Sequence, residues 1–144
     1  MQKDIDKACK AAGLYPDVVL SGHAHLYQRF TRNLPSGQQT PYIVVGCGGF
    51  AVTKPQENLP PAPVTDGDHT LEVDPILDFG YLTLTTDAKT ITVTYRPVTA
   101  AGAQPPRDSV TVNLKTGKLI PAGSATAPPV AQAPAKGKKP KRKK

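Results

Sequence analysis

The fold of this chain is decided by residues 17–29, which read Asp17-Val18-Val19-Leu20-Ser21-Gly22-His23-Ala24-His25-Leu26-Tyr27-Gln28-Arg29. The apolar run from Val18 to Leu20 has the length and β-branched content of a buried strand. It stops at Ser21 and Gly22, where the backbone is free to turn. Two histidines follow directly. The stretch therefore predicts a strand that leads into a polar segment carrying two imidazoles.

The spacing of the two histidines suits a site with two metal ions. If the backbone stays extended beyond Gly22, His23 and His25 lie on one face of the strand, roughly 6–7 Å apart. Two-metal sites hold their ions about 3.5–4 Å apart, so each imidazole could serve a different ion. A zinc site on a helix needs histidines four residues apart instead. The spacing therefore favours a binuclear site over a helical one.

These residues resemble the last metal-binding motif of the calcineurin-like metallophosphoesterases, the superfamily that includes purple acid phosphatases. In that family a buried strand ends in Gly-His-x-His, often followed by a tyrosine and an arginine. Here Gly22 is the motif glycine, and Tyr27 and Arg29 follow the two histidines. A second apolar strand that ends in glycines, at residues 41–49, also matches. The resemblance covers roughly residues 1–96.

The resemblance implies a role for each residue of the motif. His23 and His25 would each ligate one of two divalent or trivalent ions (Fe, Zn or Mn) that act on a phosphate-ester substrate in the complete domain. Tyr27 and Arg29 would support the site. A direct phosphate contact by the planar fork of Arg29 is the alternative.

The family's other metal-binding motifs, Asp-x-His, Gly-Asp-x-x-Asp and Gly-Asn-His, are not found in this sequence. Two imidazoles cannot hold two ions that each need four or more ligands. We therefore expect the C-terminal fragment of a two-metal phosphoesterase, which is inactive alone and requires the N-terminal half of the same domain. Whether the substrate is a monoester or a diester is left open by the sequence.

The composition indicates a small core and a neutral body. The 144 residues include 16 Pro, 12 Gly, three Phe and five Tyr, with no Trp. The formal charge is +7, but seven of the 18 basic residues lie at residues 136–144. The other 11 balance the 11 acidic residues, so the body is neutral and the high pI indicates nothing about a nucleic-acid surface. Cys9 and Cys47 are expected to be small buried groups without a disulfide.

The elements before residue 50 are predicted to be a helix and two buried strands. Apolar residues at helical spacing from Ile5 to Ala12 predict a helix that ends at Gly13. Val18–Leu20 and Tyr42–Val45 are the strands, joined across residues 31–40 by a loop or hairpin. The glycines at residues 46–49 predict a tight turn, and a ligand-binding loop is the alternative.

Residues 51–77 contain five prolines and no sustained period, which predicts a long irregular loop. His69 is expected to be a solvated surface residue here, with a metal role as the alternative. Asp66 and Asp68 are likewise expected to be solvated surface residues, with calcium binding as the alternative.

The clearest pattern is a hairpin from residue 79 to residue 95, followed by a strand at residues 109–114. The predicted fold class is α+β: a partial four-layer α/β/β/α metallophosphoesterase sandwich, mostly β-strands with one N-terminal helix. Residues 1–120 form the C-terminal portion of the domain. Residues 121–144 form a disordered tail rich in Pro, Ala and Lys.

The basic tail leaves other functions open. Residues 136–144 could bind an anionic partner weakly and without sequence preference, so the alternative function is a non-catalytic β-sandwich module. A merely solubilising tail, or a structural remnant without activity, is also open. No apolar run is long enough to span a membrane and no signal peptide is visible, so the default expectation for localisation is cytoplasmic.

Overall fold

A computed structural model describes residues 2–53, 55 and 60–121, and in that part of the chain one helix precedes ten strands. Of the predicted tail at residues 121–144, only Pro121 is among the described residues. The elements are α1 (Gln2–Ala12), β1 (Val19–Ser21), β2 (Tyr27–Asn33), β3 (Gln39–Val45), β4 (Val64–Asp66), β5 (His69–Ile76), β6 (Gly80–Thr86), β7 (Thr90–Thr99), β8 (Gly102–Ala103), β9 (Asp108–Asn113) and β10 (Lys118–Ile120).

The strands form two sheets. Sheet A has the order β1-β3-β2-β5-β4, and sheet B has the order β10-β9-β7-β6, with β8 paired to β7. All pairs are antiparallel except β1 with β3. Strands make up 49% of the described residues, and with the single short helix this confirms the predicted fold class, a partial α/β sandwich made mainly of strands.

The core lies between the two sheets, because each sheet turns one row of apolar side chains inward. Sheet A contributes Tyr27, Ile43 and Ile76, and sheet B contributes Val93, Tyr95 and Val110. Cys47 joins this cluster and is fully buried, as expected, whereas Cys9 on α1 is only half-buried. Both cysteines are free thiols.

Helix α1 ends where the sequence predicted, at Gly13, whose φ of 64° suits a residue without a side chain. The helix is attached to sheet A by Arg32, a buried residue of β2. The guanidinium of Arg32 donates hydrogen bonds to both carboxylate oxygens of Asp6 on the helix. It also donates to Asp68 in the β4–β5 turn, at 2.9 Å.

The irregular loop predicted for residues 51–77 is wrong in its second part, where β4 and β5 form a hairpin. β5 pairs with β2 and contributes eight residues to sheet A. Its pairing with β2 shifts between Tyr27 and Arg29, so Asp74 and Pro75 lie opposite Gln28 alone. This is a β-bulge, one of the few places in a sheet where a proline is tolerated. The proline concealed the strand in the sequence.

Two other boundaries differ from the prediction. β2 extends to Asn33 and β3 begins at Gln39, so the connection between them is a short hairpin turn. The predicted strand Val18–Leu20 is shifted by one residue to form β1. β1 lies at the edge of sheet A, and Leu20 is 44% exposed.

Candidate functional site

The segment Gly22–Leu26, which we call the histidine loop, crosses the end of a central strand. β1 and β2 lie on opposite sides of β3 in sheet A, yet β2 follows β1 directly in sequence. The five residues between them must therefore pass over the end of β3, which terminates at Val45. Both histidines of the motif lie on this crossing.

Backbone hydrogen bonds define the shape of the histidine loop. Within it, the amide of Ala24 donates to the carbonyl of Gly22 at 3.1 Å, and the amide of Leu26 donates to the carbonyl of Ala24 at 2.8 Å. Below it, the amide of Gly46 donates to Leu26 at 3.2 Å, and that of Thr53 donates to His25 at 3.0 Å. The loop is therefore fixed to the segment that follows β3.

Gly46 is placed where only a glycine fits. A Cβ added there would lie 2.1 Å from the carbonyl oxygen of Ala24, far inside contact distance and against backbone. The turn predicted for residues 46–49 is thus also the surface on which the histidine loop rests. The sequence predicted a tight turn here but not its contact with Ala24.

The two histidines do not lie on an extended strand. His23 has a φ of 76°, in the left-handed region that residues with a Cβ rarely adopt. Its side chain is exposed, whereas His25 is half-buried and meets Phe50 edge-on, with ring centroids 5.2 Å apart. The extended backbone considered for residues 23–25 is therefore wrong, because the loop has to turn over β3. The structure still places both imidazoles on one short loop.

Tyr27 and Arg29 point into the space between the sheets and bind one carboxylate. Tyr27 is 1% exposed, and its hydroxyl donates to Oδ2 of Asp108 at 2.6 Å. Arg29 donates through Nε to the same oxygen at 2.6 Å and through Nη2 to Oδ1 at 3.1 Å. The fork of Arg29 is therefore occupied by Asp108, at the start of β9 in sheet B. Asp108 could not be predicted from the sequence, because no local pattern links it to Arg29, 79 residues away, or to Tyr27, 81 residues away.

Burial and pairing shift the titration of these groups. Burial, followed by the hydrogen bond to Asp108, raises the pKa of Tyr27 well above its usual range. Burial lowers the pKa of Arg29, but its bonds to the Asp108 carboxylate outweigh that effect and raise it. Tyr27 is therefore neutral and Arg29 charged at any ordinary pH.

A pair of stacked tyrosines continues this contact between the sheets. The rings of Tyr27 and Tyr95 lie 4.2 Å apart at an angle of 18°. The Tyr95 hydroxyl donates to the carbonyl of Asp78 at 2.7 Å and lies 3.5 Å from the sulfur of Cys47. Burial, followed by the contact with Cys47, raises the pKa of Tyr95. Tyr27, which follows the histidine loop, and Cys47, which follows Gly46, are thus both packed on Tyr95.

His69 lies apart from the motif histidines, in a cluster of charged side chains at the other end of β2. Its Nδ1 is 2.6 Å from Oδ1 of Asp68, and Asp68 is bound by Arg32. His69 was expected to be a solvated surface residue of a loop, but it begins β5 and is partly buried. Asp66 and His69 border an apolar groove instead.

That groove lies on the outer face of sheet A beside α1 and has a volume of about 560 Å³. Most of its lining is apolar: Val19, Phe30, Tyr42, Val44, Val64 and Leu71. Only part of this face is covered by the helix. An apolar sheet face of this kind normally packs against further structure.

The link between α1 and sheet A should weaken in acid. Hydrogen bonds from Arg32 hold the pKa of Asp6, and likewise that of Asp68, below the usual value. A lowered carboxyl pKa stabilises the folded state above the unfolded pKa of about 3.9, and this stabilisation is lost as the pH falls through the folded value. The urea midpoint of the wild type should exceed that of Asp6→Asn near pH 6, and the difference should shrink below about pH 4.

Denaturation series from pH 7 to pH 2 would measure this difference. A variant with both Asp6→Asn and Asp68→Asn should show the smallest dependence on pH. A gap between wild type and Asp6→Asn that stays constant down to pH 2 would contradict the assigned ion pair.

The described residues contain two motif imidazoles and no group of three or more His, Cys, Asp or Glu side chains that could hold a metal ion. The donor set is therefore too small for a binuclear centre by itself. As a contribution to such a centre the pair is suitable, since both side chains are borderline nitrogen donors on one anchored loop. Further ligands would have to come from outside the described residues.

In the described part of the chain, no helix is long and apolar enough to cross a membrane.

Neither a protein-family model nor a curated protein sequence matches this chain. Among solved structures, it is similar to purple acid phosphatase PPD1 isolated from yellow lupin (Lupinus luteus) seeds, with a TM-score of 0.55 and 20% sequence identity. The similarity covers 89% of this chain and 23% of the lupin chain, so this chain spans less than a quarter of that protein. At this identity the similarity establishes the fold: the sheets of this chain are arranged as in part of a purple acid phosphatase.

Proposed function

We propose that this chain is the C-terminal part of a two-metal phosphoesterase and that it supplies His23 and His25 as metal ligands. One observation carries the proposal: two imidazoles lie on a loop at the end of a central strand, in a sandwich similar to part of a purple acid phosphatase. The phosphate-ester substrate and the two metal ions (Fe, Zn or Mn) belong to the complete domain. When bound, such ions polarise the phosphoryl group and activate water.

The residues of the motif have two different roles in this proposal. His23 and His25 bind metal. Their side chains lie on the same loop, and neither is fully buried: His23 is exposed and His25 is half-buried. Tyr27 and Arg29 are supporting residues, because their polar atoms are already bound to Asp108. A phosphate contact by Arg29 would first have to break this buried ion pair, which is costly.

The rest of the domain would pack on sheet A. Two features support this: β1 is a three-residue edge strand with an exposed Leu20, and the apolar groove beside α1 is only partly covered. Exposed strand edges and apolar faces favour association with further structure. The N-terminal half of a metallophosphoesterase domain, which carries the remaining ligands in the family that the motif resembles, is the partner proposed here.

Hydrolysis of an aryl phosphate tests this function. With added Mn²⁺, Zn²⁺ or Fe³⁺, the 144-residue chain alone should show no hydrolysis above background, because its donor set is too small. The same chain joined to the N-terminal half should hydrolyse the ester. Release of the aryl alcohol, followed by absorbance, is the measurement.

Substitutions separate the motif histidines from the third histidine. In the joined domain, His23→Ala and His25→Ala should each lower the rate by at least about 10-fold, because the loss of a residue that only orients a metal ligand already costs about that much. His69→Gln is the matched control and should keep most of the rate. Activity of the 144-residue chain alone would refute the limited donor set, and an inactive joined domain would refute the function.

A further inference from the structure

The histidine loop is held from the opposite sheet. Tyr27 follows the loop directly, and its side chain reaches across the core to Asp108 and Tyr95, both in sheet B. Cys47 follows Gly46, the residue on which the loop rests, and its sulfur lies against the hydroxyl of Tyr95. Two supports of the loop, Tyr27 and Cys47, therefore end on side chains of β7 or β9.

Asp108 is the polar centre of this support. It accepts three hydrogen bonds, one from Tyr27 and two from Arg29, and the side chains of Arg29 and Asp108 are only 12% and 10% exposed. Two parallel bonds from a guanidinium fork fix direction as well as distance. The first residues of β2 are thereby fixed relative to the start of β9.

A buried ion pair of this kind is a weak source of net stability, because desolvation of both charges offsets their attraction. Its geometry is nevertheless strict, because Asp108 must face Tyr27 and Arg29 at the same time. These two residues stand two and four positions after His25. A carboxylate that fixes them limits how far the end of the histidine loop can move.

We propose that Asp108 is a positioning residue that holds the histidine loop, and with it His23 and His25, in a defined arrangement. The inference rests on the proposed function for the role of the histidines as metal ligands. The hold on the loop itself is independent of any metal. Asp108 acts through Tyr27 and Arg29 and touches neither metal nor substrate.

Hydrogen exchange in the metal-free chain tests the hold. Asp108→Asn should speed amide exchange at residues 22–30 and 46–53 while the peptides of β6 and β7 keep their protection. Asp78→Asn is the matched control: it removes the same charge and also breaks an arginine pair, that with Arg107, but this pair is exposed and the backbone carbonyl bound by Tyr95 remains. The control should leave residues 22–30 unchanged.

Zinc affinity tests the consequence. Titration calorimetry of the 144-residue chain with Zn²⁺ should show about 10–100-fold weaker binding for Asp108→Asn than for wild type, as for other residues that orient metal ligands. Asp78→Asn should bind as wild type does. If the wild-type chain itself binds no zinc, two imidazoles are too few without the ligands of the N-terminal half, and the exchange experiment decides the role of Asp108.

Tyr27→Phe keeps the stacked ring and removes one of the three bonds to Asp108, so it gives a test if Asp108→Asn does not fold. It should show the same local change in exchange with a smaller amplitude. Unchanged exchange at residues 22–30 would overturn the proposal. A uniform loss of protection over the whole chain would also overturn the proposal, because it would show that Asp108 stabilises the whole fold and does not specifically position the loop.

Discussion

Replacing Tyr95 with alanine should lower the free energy of unfolding by about 3–5 kcal/mol, the usual cost of removing a fully buried aromatic side chain. Tyr95 is 0% exposed, stacks on Tyr27, and donates a hydrogen bond to the carbonyl of Asp78. The substitution leaves a cavity between the sheets and a backbone acceptor without its donor. Because small domains have a total stability of about 5–15 kcal/mol, the loss approaches the limit of folding. Guanidinium denaturation followed by circular dichroism measures it.

Tyr81→Ala provides the comparison. Tyr81 lies on the neighbouring strand β6 and is 40% exposed, so the same chemical change removes much less buried surface. Its cost should stay near the range of surface substitutions, about 0.5 kcal/mol. Equal losses for the two variants would show that the stack of Tyr27 and Tyr95 does not form the centre of the core.

Gly46→Ala should displace the histidine loop and destabilise the fold by about 1–3 kcal/mol, the range for an overpacked interior. The new methyl group would lie 2.1 Å from the carbonyl oxygen of Ala24 and 2.7 Å from its carbon. Both atoms are backbone and cannot rotate away. The loop has to lift from β3, which breaks the bond between Gly46 and Leu26. Amide chemical shifts of residues 22–27 and the denaturation midpoint report the two effects.

Gly48→Ala is the matched control, two residues further along. No atom lies within 4 Å of a Cβ added there, and the backbone of Gly48 does not have the positive φ found at Gly49. Alanine at such a site should be neutral or stabilise by about 0.4–1 kcal/mol through the unfolded state. If Gly46→Ala behaved in the same way, the close approach between β3 and the loop would be refuted.

The sequence predicted the elements whose signals are local. The helix ends at Gly13 because a positive φ there costs a glycine nothing, and the alternating residues after Gly80 form the hairpin β6–β7. Its turn is held by Asp87, whose carboxylate accepts hydrogen bonds from the amides of Lys89 and Thr90, each at 2.7 Å. Each of these signals lies within a few residues of the structure that it determines.

Signals that depend on distant residues were missed. β5 was hidden because Pro75 argues against a strand unless that strand is bulged there, and the bulge becomes evident only from the pairing with Gln28, almost fifty residues away. The positive φ of His23 follows from the crossing over β3, which only the strand order reveals. The sequence could therefore single out the two histidines as candidates, but it could not predict the shape of their backbone.

The same limit applies to Arg29. Its place after the motif fitted either a supporting role or a phosphate contact, and the choice depends on Asp108, which no local pattern connects to it. Charge complementarity in a buried core is set by the packing of the sheets.

The order of the strands in sheet A also bears on how the molecule folds. β3 is the last of the first three strands in sequence but lies between the other two. The crossing of residues 22–26 is complete only when β3 has joined both β1 and β2. The β2–β3 hairpin is a local contact and closes quickly. The parallel β1–β3 pair joins strands that lie further apart in sequence, so it forms more slowly. We therefore expect the loop that carries the two histidines to reach its final shape late in folding, after the β2–β3 hairpin has formed.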